Sequence, residues 1–217
     1  MTAENFIPAD WPAPGNVVAG TTLRDSDYVL PGRPQWLTQV HGTRVVHIGP
    51  ADFAAGPPEA DAVVADRPGD ICVVRTADCL PILLCSRAGT EVAAIHAGWR
   101  GLADGIVEAT LQAMHTLPGD LVAWFGPAIS QQAFEVGLEV RERFGQWGQV
   151  EGLFRPNDRG RLQADLYGLA RARLRSSGVP DVHGGGLCTF ADAARFYSYR
   201  RDGETGRMLS FVYLEKP

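Results

Sequence analysis

Three apolar runs in close order, residues 71–74, 81–85 and 91–95, constrain the fold more than any other feature of this chain. Each is too apolar to be a strand with one face in water, so all three belong at the centre of a sheet. Ser86-Arg87-Ala88-Gly89-Thr90 turns the second run into the third as a hairpin. Downstream, Leu102, Ile106, Ala109, Ala113 and Leu117 recur every three or four positions, which predicts a helix over 102–117, stopped by Pro118-Gly119.

The rest of the chain interleaves strands and helices. Residues 44–48 read as a strand closed by Gly49-Pro50, residues 51–58 as a loop, and residues 61–65 as a strand turned by 66–69. Residues 1–35, rich in Pro, Gly and Asp, read as irregular structure with one or two edge strands, one of them near 16–19. Residues 121–125 form a buried strand, 138–144 a helix, and Asp165 caps a helix that carries Leu166, Leu169, Ala170 and Leu174 on one face, with Gly178 past its end. Residues 197–199 and 208–214 read as strands paired across 202–206. Short hairpins between interleaved helices favour mixed sheets over a purely parallel one. The expected fold is a single α+β or α/β domain over residues 1–217, with mixed β-sheets layered against helices.

Within that frame, two reactive groups stand where an apolar strand meets a loop. Cys79 lies in Thr76-Ala77-Asp78-Cys79-Leu80-Pro81, and His96 in His96-Ala97-Gly98-Trp99-Arg100-Gly101, which leads into a helix start. A third group, His41, sits in Gln39-Val40-His41-Gly42 ahead of another strand. One cysteine and two histidines from separate places suit a zinc ion that keeps its fourth position open. Thiolate ligation leaves the ion a net positive charge, hence a Lewis acid, and Asp78 and Asp61 are candidate carboxylates to orient a ligand histidine or a bound water. Gly98 and Gly101 allow close backbone approach, and the helix start after them offers N–H groups to an anion such as phosphate. Among the other groups, His47 alternates within a strand, His115 falls in the last turn of the long helix, and His183 precedes three glycines. Cys72 and Cys85 read as core fillers.

Composition narrows the function classes. A net charge of -5 without a Lys/Arg-rich run argues against general nucleic-acid binding. No apolar stretch approaches the roughly 18 residues that span a membrane, and residues 1–10 lack a basic start and an apolar core. Four cysteines without a disulfide-framework spacing fit free thiols in a reducing cytoplasm.

With these motifs assembled, the chain resembles the laccase-domain family, historically named multicopper polyphenol oxidase, whose members are described as zinc-dependent purine nucleoside phosphorylases. The resemblance is carried by the three motifs above together with Ala60-Asp61-Ala62, Gly126-Pro127-Ala128-Ile129 and Phe196-Tyr197-Ser198-Tyr199-Arg200-Arg201-Asp202. It implies that His41, Cys79 and His96 hold zinc, and that the fold is α+β and related to cysteine-hydrolase toxin domains. It also implies phosphorolysis of adenosine, inosine, guanosine and methylthioadenosine, with deamination of adenosine. On that reading Cys79, His96, Asp78 and Arg100 are the catalytic candidates. Arg75, Arg100, Arg200 and Arg201 are candidates for phosphate, Trp99 and Tyr199 for the purine base, and Gln39 joins the substrate-binding set. Purine nucleosides and phosphate are the expected partners, and the expected assembly is a monomer or small homo-oligomer.

A laccase proper, with a type 1 copper and a trinuclear cluster, takes more imidazoles than the five histidines here, although the same donors can capture a single copper in vitro. Two rivals differ in what they ask of the residues. A metal-free cysteine hydrolase or deamidase would use Cys79 as nucleophile, His96 as base and Asp78 or Asp61 as orienter, leaving His41 optional. A non-catalytic metal module would enclose its ion with a fourth ligand, Cys188 or His183.

Overall fold

The three apolar runs do become strands, but of two different sheets, and the chain crosses between those sheets within residues 77–79. The computed structural model describes residues 5–49, 56–148, 150 and 152–216. The chain runs through β1 (Phe6–Pro8), β2 (Val17–Thr22), β3 (Arg33–Gln35), β4 (Val45–His47), β5 (Ala62–Ala65), β6 (Asp70–Thr76), β7 (Leu80–Ser86) and β8 (Val92–Ala97). Helices α1 (Trp99–Asp104) and α2 (Ile106–Ala113), strands β9 (Leu121–Phe125) and β10 (Glu135–Val136) and helix α3 (Leu138–Gly145) follow. The remainder is β11 (Phe154–Pro156), β12 (Leu162–Ala164), α4 (Leu166–Ser176), β13 (Asp181–Gly184), α5 (Tyr199–Asp202) and β14 (Met208–Leu214).

These strands form a six-stranded sheet of order β13-β9-β7-β8-β5-β4, a five-stranded sheet of order β1-β2-β14-β6-β3, and a small sheet of order β10-β12-β11. Parallel pairs (β4 with β5, β9 with β13, β3 with β6) sit beside antiparallel ones, so both large sheets are mixed. The fold is α+β, one of the two classes that the sequence pattern allows.

Why β7 and β8 are apolar throughout is explained by what lies on each face. Leu80, Ile82 and Leu84 pack into a core with residues of α1 to α4, while Leu83 and Cys85 point into a second core shared with Cys72, Val74 and Val212 of the other sheet. Strands that bury both faces have no polar alternation to show. The expected hairpin is present, with the Ser86 N–H donating to the Glu91 carbonyl at 2.9 Å. The run over 71–74 belongs elsewhere: as β6 it pairs with β14 and β3.

Other expectations need correction. The helix over 102–117 is two helices: it starts at Trp99, breaks at Gly105 (φ 102°) and ends at Ala113, so Leu117 is exposed and His115 lies beyond the helix. Residues 197–199 are not a strand. Ser198 caps the short helix α5, its hydroxyl accepting from the Arg201 N–H, and β14 pairs with β2 and β6 instead. The N-terminal region holds three strands, and β2 is an inner strand. Its Thr21 is fully buried because its hydroxyl pairs with that of Ser210 at 2.7 Å, which hides a core position behind a polar residue. Of the loop expected over 51–58, residues 51–55 lie outside the described residues.

Gly105 serves as C-cap of α1 and N-cap of α2, and the space at its Cα is open apart from Glu108 Oε2 at 3.5 Å. A methyl group there meets no steric wall, so Gly105→Ala tests backbone conformation alone. The expected loss is about 1–2 kcal/mol, read as a lower urea midpoint with unchanged slope. A neutral result would show that the break between α1 and α2 is not imposed by this residue.

Candidate metal centre and its cleft

Three loops meet at the edge where the chain changes sheets. The β6–β7 corner brings Cys79, the end of β8 brings His96, and the segment before β4 brings His41. Their donor atoms all lie within 4.8 Å of one another. His41 Nε2 is 3.8 Å from Cys79 Sγ, and the two imidazoles meet edge-on with centroids 4.7 Å apart. His96 is buried, Cys79 half-buried and His41 exposed, so the group opens on one side.

Asp61, fully buried at the start of β5, organises this group. Its carboxylate accepts from the N–H groups of Val40 (3.2 Å), His41 (2.9 Å) and Gly42 (2.7 Å), and from His96 Nδ1 at 2.7 Å. One side chain thus fixes the His41 loop and turns the other nitrogen of His96 toward Cys79. Burial alone would raise the Asp61 pKa, but the bonds from His96, Gly42 and Val40 outweigh it and hold the group below its ordinary value. Of the two carboxylates considered for orienting a ligand histidine, Asp61 is the one so placed.

Backbone strain marks the same spot. Among the described non-glycine residues, His41 (φ 61°) and Asp78 (φ 98°) are two of three with positive φ. The Asp78 carboxylate accepts from the Thr189 hydroxyl (2.6 Å), the Ser198 hydroxyl (3.1 Å) and the Arg200 N–H (2.7 Å), which pins the corner to the start of α5. Gly98 and Gly101 have a more specific duty than a tight turn. A Cβ on Gly98 would stand 2.8 Å from His41 Cδ2 and 3.1 Å from Cys79 Sγ, and one on Gly101 would stand 2.8 Å from the Gly42 carbonyl. The missing side chains admit the His41 loop against α1, so the backbone approach expected of a ligand is made by the protein itself.

Electrostatically the group is a thiolate–imidazolium pair. Burial pushes the Cys79 thiol up, yet the His96 charge and hydrogen bonds from His41 and His96 bring it down to about 6. Burial lowers His96, but the Cys79 thiolate and the Asp61 carboxylate raise it to about 9. One thiolate and two imidazoles suit a borderline-soft divalent ion. The closed-site rival finds no support in the geometry: Cys188 Sγ accepts from the Ser130 N–H at 3.4 Å, His183 Nε2 faces Asp181 at 2.6 Å, and neither joins the donor group.

The group lines a cleft of about 760 Å³. Gln39, Arg75, Asp78, Trp99, Arg100, Tyr199 and Arg200 all border it. Gln39 exchanges both amide hydrogen bonds with the Arg75 backbone at 2.8 Å, like one more strand residue, which ties the His41 loop to β6. The Arg100 guanidinium lies 4.6 Å over the Trp99 ring, and Tyr199 is 61% exposed at the rim. Arg201, expected among the phosphate contacts, is not brought to the cleft. Its guanidinium donates to the carbonyls of Thr189, Phe190 and Phe196 and pairs with Asp202. Some lining residues escape sequence reasoning, among them Phe134 and Arg207. Phe134 follows no motif, and Arg207 closes what looks like an ordinary Gly-containing turn.

Zn²⁺ titration of the metal-free protein tests this arrangement. The imidazole proton that the Cys79 thiolate and Asp61 stabilise on His96 must leave as an ion binds, so at pH 7.5 uptake at this group should release a measurable number of protons. Calorimetry in buffers of different ionisation enthalpy reads that number. Asp61→Asn should weaken binding by about 10–100-fold. Unchanged affinity would show that Asp61 orients nothing that matters to the ion.

Comparison with known proteins agrees with this architecture. A purine nucleoside phosphorylase of Pseudomonas aeruginosa is 44% identical over 243 aligned positions, covering 97% of this chain and 98% of the relative. Purine nucleoside phosphorylase YfiH of Escherichia coli is 48% identical over 185 residues, 85% of this chain and 75% of the relative. Among solved structures, a Neisseria meningitidis protein matches with a TM-score of 0.91 at 40% identity, covering 98% of this chain and 100% of that one. YlmD from Geobacillus stearothermophilus matches with a TM-score of 0.89 at 26% identity, covering 100% of this chain and 98% of that one. Residues 15–215 match the model of one family, and the chain belongs to it: the family described as multi-copper polyphenol oxidoreductase laccase.

Proposed function

We propose that this chain is a purine nucleoside phosphorylase that holds zinc at His41, Cys79 and His96. Its substrates on this reading are adenosine, inosine, guanosine and methylthioadenosine, and it also deaminates adenosine. The observation that carries the proposal is the meeting of the three-donor group with arginines and aromatic rings in one cleft of ligand size. The names of the relatives point the same way.

In phosphorolysis a phosphate oxygen bonds to ribose C1′ while the C1′–N bond breaks. The base leaves with the bonding pair and takes up a proton. Arg75, Arg100, Arg200 and Arg207 border the cleft and offer charge-assisted hydrogen bonds to phosphate. Trp99 and Tyr199 offer ring faces to the purine. Asp78 acts by position, holding the Arg200 N–H and the Ser198 hydroxyl so that the start of α5 faces the cleft. Zinc, when bound, supplies a Lewis acid beside the substrate, which is the requirement of adenosine deamination. Asp61 keeps His96 in the orientation that such an ion needs. The setting we propose is the cytoplasm, supported by the absence of any disulfide among the four cysteines.

A metal-free cysteine hydrolase is a second reading, favoured by the lowered Cys79 thiol and the Asp61–His96 hydrogen bond. The two readings part at His41, a ligand in one and dispensable in the other. Adenosine turnover should be followed with and without phosphate in wild type, Cys79→Ala and His41→Ala, alongside zinc content. The phosphorylase reading expects phosphate-dependent adenine release that falls roughly a hundredfold or more in both variants, with loss of zinc from both. Inosine formed without phosphate would report the deaminase. A zinc-free wild type with no nucleoside turnover would overturn the reading in favour of the hydrolase.

A further inference from the structure

At the other end of β4 from the His41 loop lies a second group of donors that the cleft does not use. His47 ends β4, Asp66 follows β5, and His115 lies beyond α2. Their ligand atoms all fall within 4.8 Å of one another, and the His47 and His115 rings meet edge-on with centroids 5.6 Å apart. His47 Nε2 is buried and has no hydrogen-bond partner among the described residues, with Asp66 Oδ2 at 4.0 Å as a longer-range neighbour. An orphaned buried nitrogen is unfavourable unless something satisfies it.

The surroundings resemble those of ligand histidines. Glu91, a buried carboxylate, holds His115 Nδ1 at 3.3 Å and also accepts from the N–H groups of His115 and Thr116 at 2.9 Å each. That fixes the ring and its loop and leaves the other nitrogen for an ion, as Asp61 does for His96. Among the described residues Asp66 has Arg67 as a competing cation, its Nε 3.7 Å from Oδ1, and Arg67 also donates to the Ile48 carbonyl at 2.8 Å.

From this geometry we propose a second metal site, formed by His47, Asp66 and His115, for a divalent ion of the zinc, nickel or copper kind. Two imidazoles and a carboxylate are a ligand set for such ions. Tetrahedral ligation at about 2.0–2.2 Å sets donor atoms roughly 3.4 Å apart, so the group must close slightly, and the His115 side chain, 79% exposed, has room to tilt while keeping its contact with Glu91. The ion ties edge strand β4 to the β5–β6 turn and to the segment after α2. Its role is to clamp the strand that follows the His41 loop.

The test uses full-length protein carrying His41→Ala and Cys79→Ser, which removes two of the three cleft donors and leaves His96 alone, stripped with chelator and titrated with ZnCl₂. The proposal expects about one zinc per chain at micromolar concentration and a rise in apparent Tm on addition of zinc. Adding His115→Ala, a change at an exposed side chain, should weaken uptake at least about tenfold and abolish the shift in Tm. Asp66→Asn should also weaken uptake. No zinc uptake by the background chain would overturn the proposal, as would uptake that His115→Ala and Asp66→Asn leave unchanged. Neither result bears on the activity at the cleft, which is read separately in the wild-type background.

Discussion

The centre depends on one carboxylate. Asp61 has no exposure to water, yet it stays ionised because three backbone N–H groups and one imidazole N–H converge on it. A buried carboxylate without those partners would cost several kcal/mol, so the His41 loop and the His96 ring are held in place by the need to satisfy it. Two donors from distant parts of the chain are thereby set by a single residue at the head of an inner strand. The positive φ of His41 is the local cost of wrapping the loop around that carboxylate.

The third donor is set by topology. β6 belongs to one sheet and β7 to the other, and the chain has only residues 77–79 in which to change sheets. Asp78 absorbs the turn at φ 98° and is held there by groups from 189, 198 and 200, so the strain is over-determined rather than free to relax. Cys79 emerges from that corner beside His96, the neighbour of Pro81 across the β7–β8 pair. The apolar strands that fill two cores therefore also supply the rigid frame for the cysteine and one histidine.

Much of this was legible in the sequence. The donor types, their place at strand ends, the β7–β8 hairpin and the Asp165 cap follow from periodicity and turn chemistry, because those signals are local. What escaped was non-local or disguised. Asp78 reads as a free carboxylate, whereas it accepts from hydroxyls 111 and 120 residues away. Tyr197-Ser198-Tyr199 mimics a strand by aromatic alternation, whereas the serine is a helix cap. Thr21 and Ser210 satisfy each other inside the core, so β2 lacks the apolar pattern of an inner strand. Arg201 sits in a motif with Arg200, but Arg200 borders the cleft while Arg201 turns its guanidinium to the carbonyls of Thr189, Phe190 and Phe196, a difference of direction that spacing does not encode.

The most direct test of the central claim is anomalous diffraction at the zinc absorption edge, from crystals of protein purified with phosphorylase activity intact. The account predicts a peak about 2.3 Å from Cys79 Sγ and about 2.0–2.1 Å from one ring nitrogen each of His41 and His96, with His96 Nδ1 still on Asp61. Active protein whose crystals show no anomalous scatterer between those three side chains would contradict it.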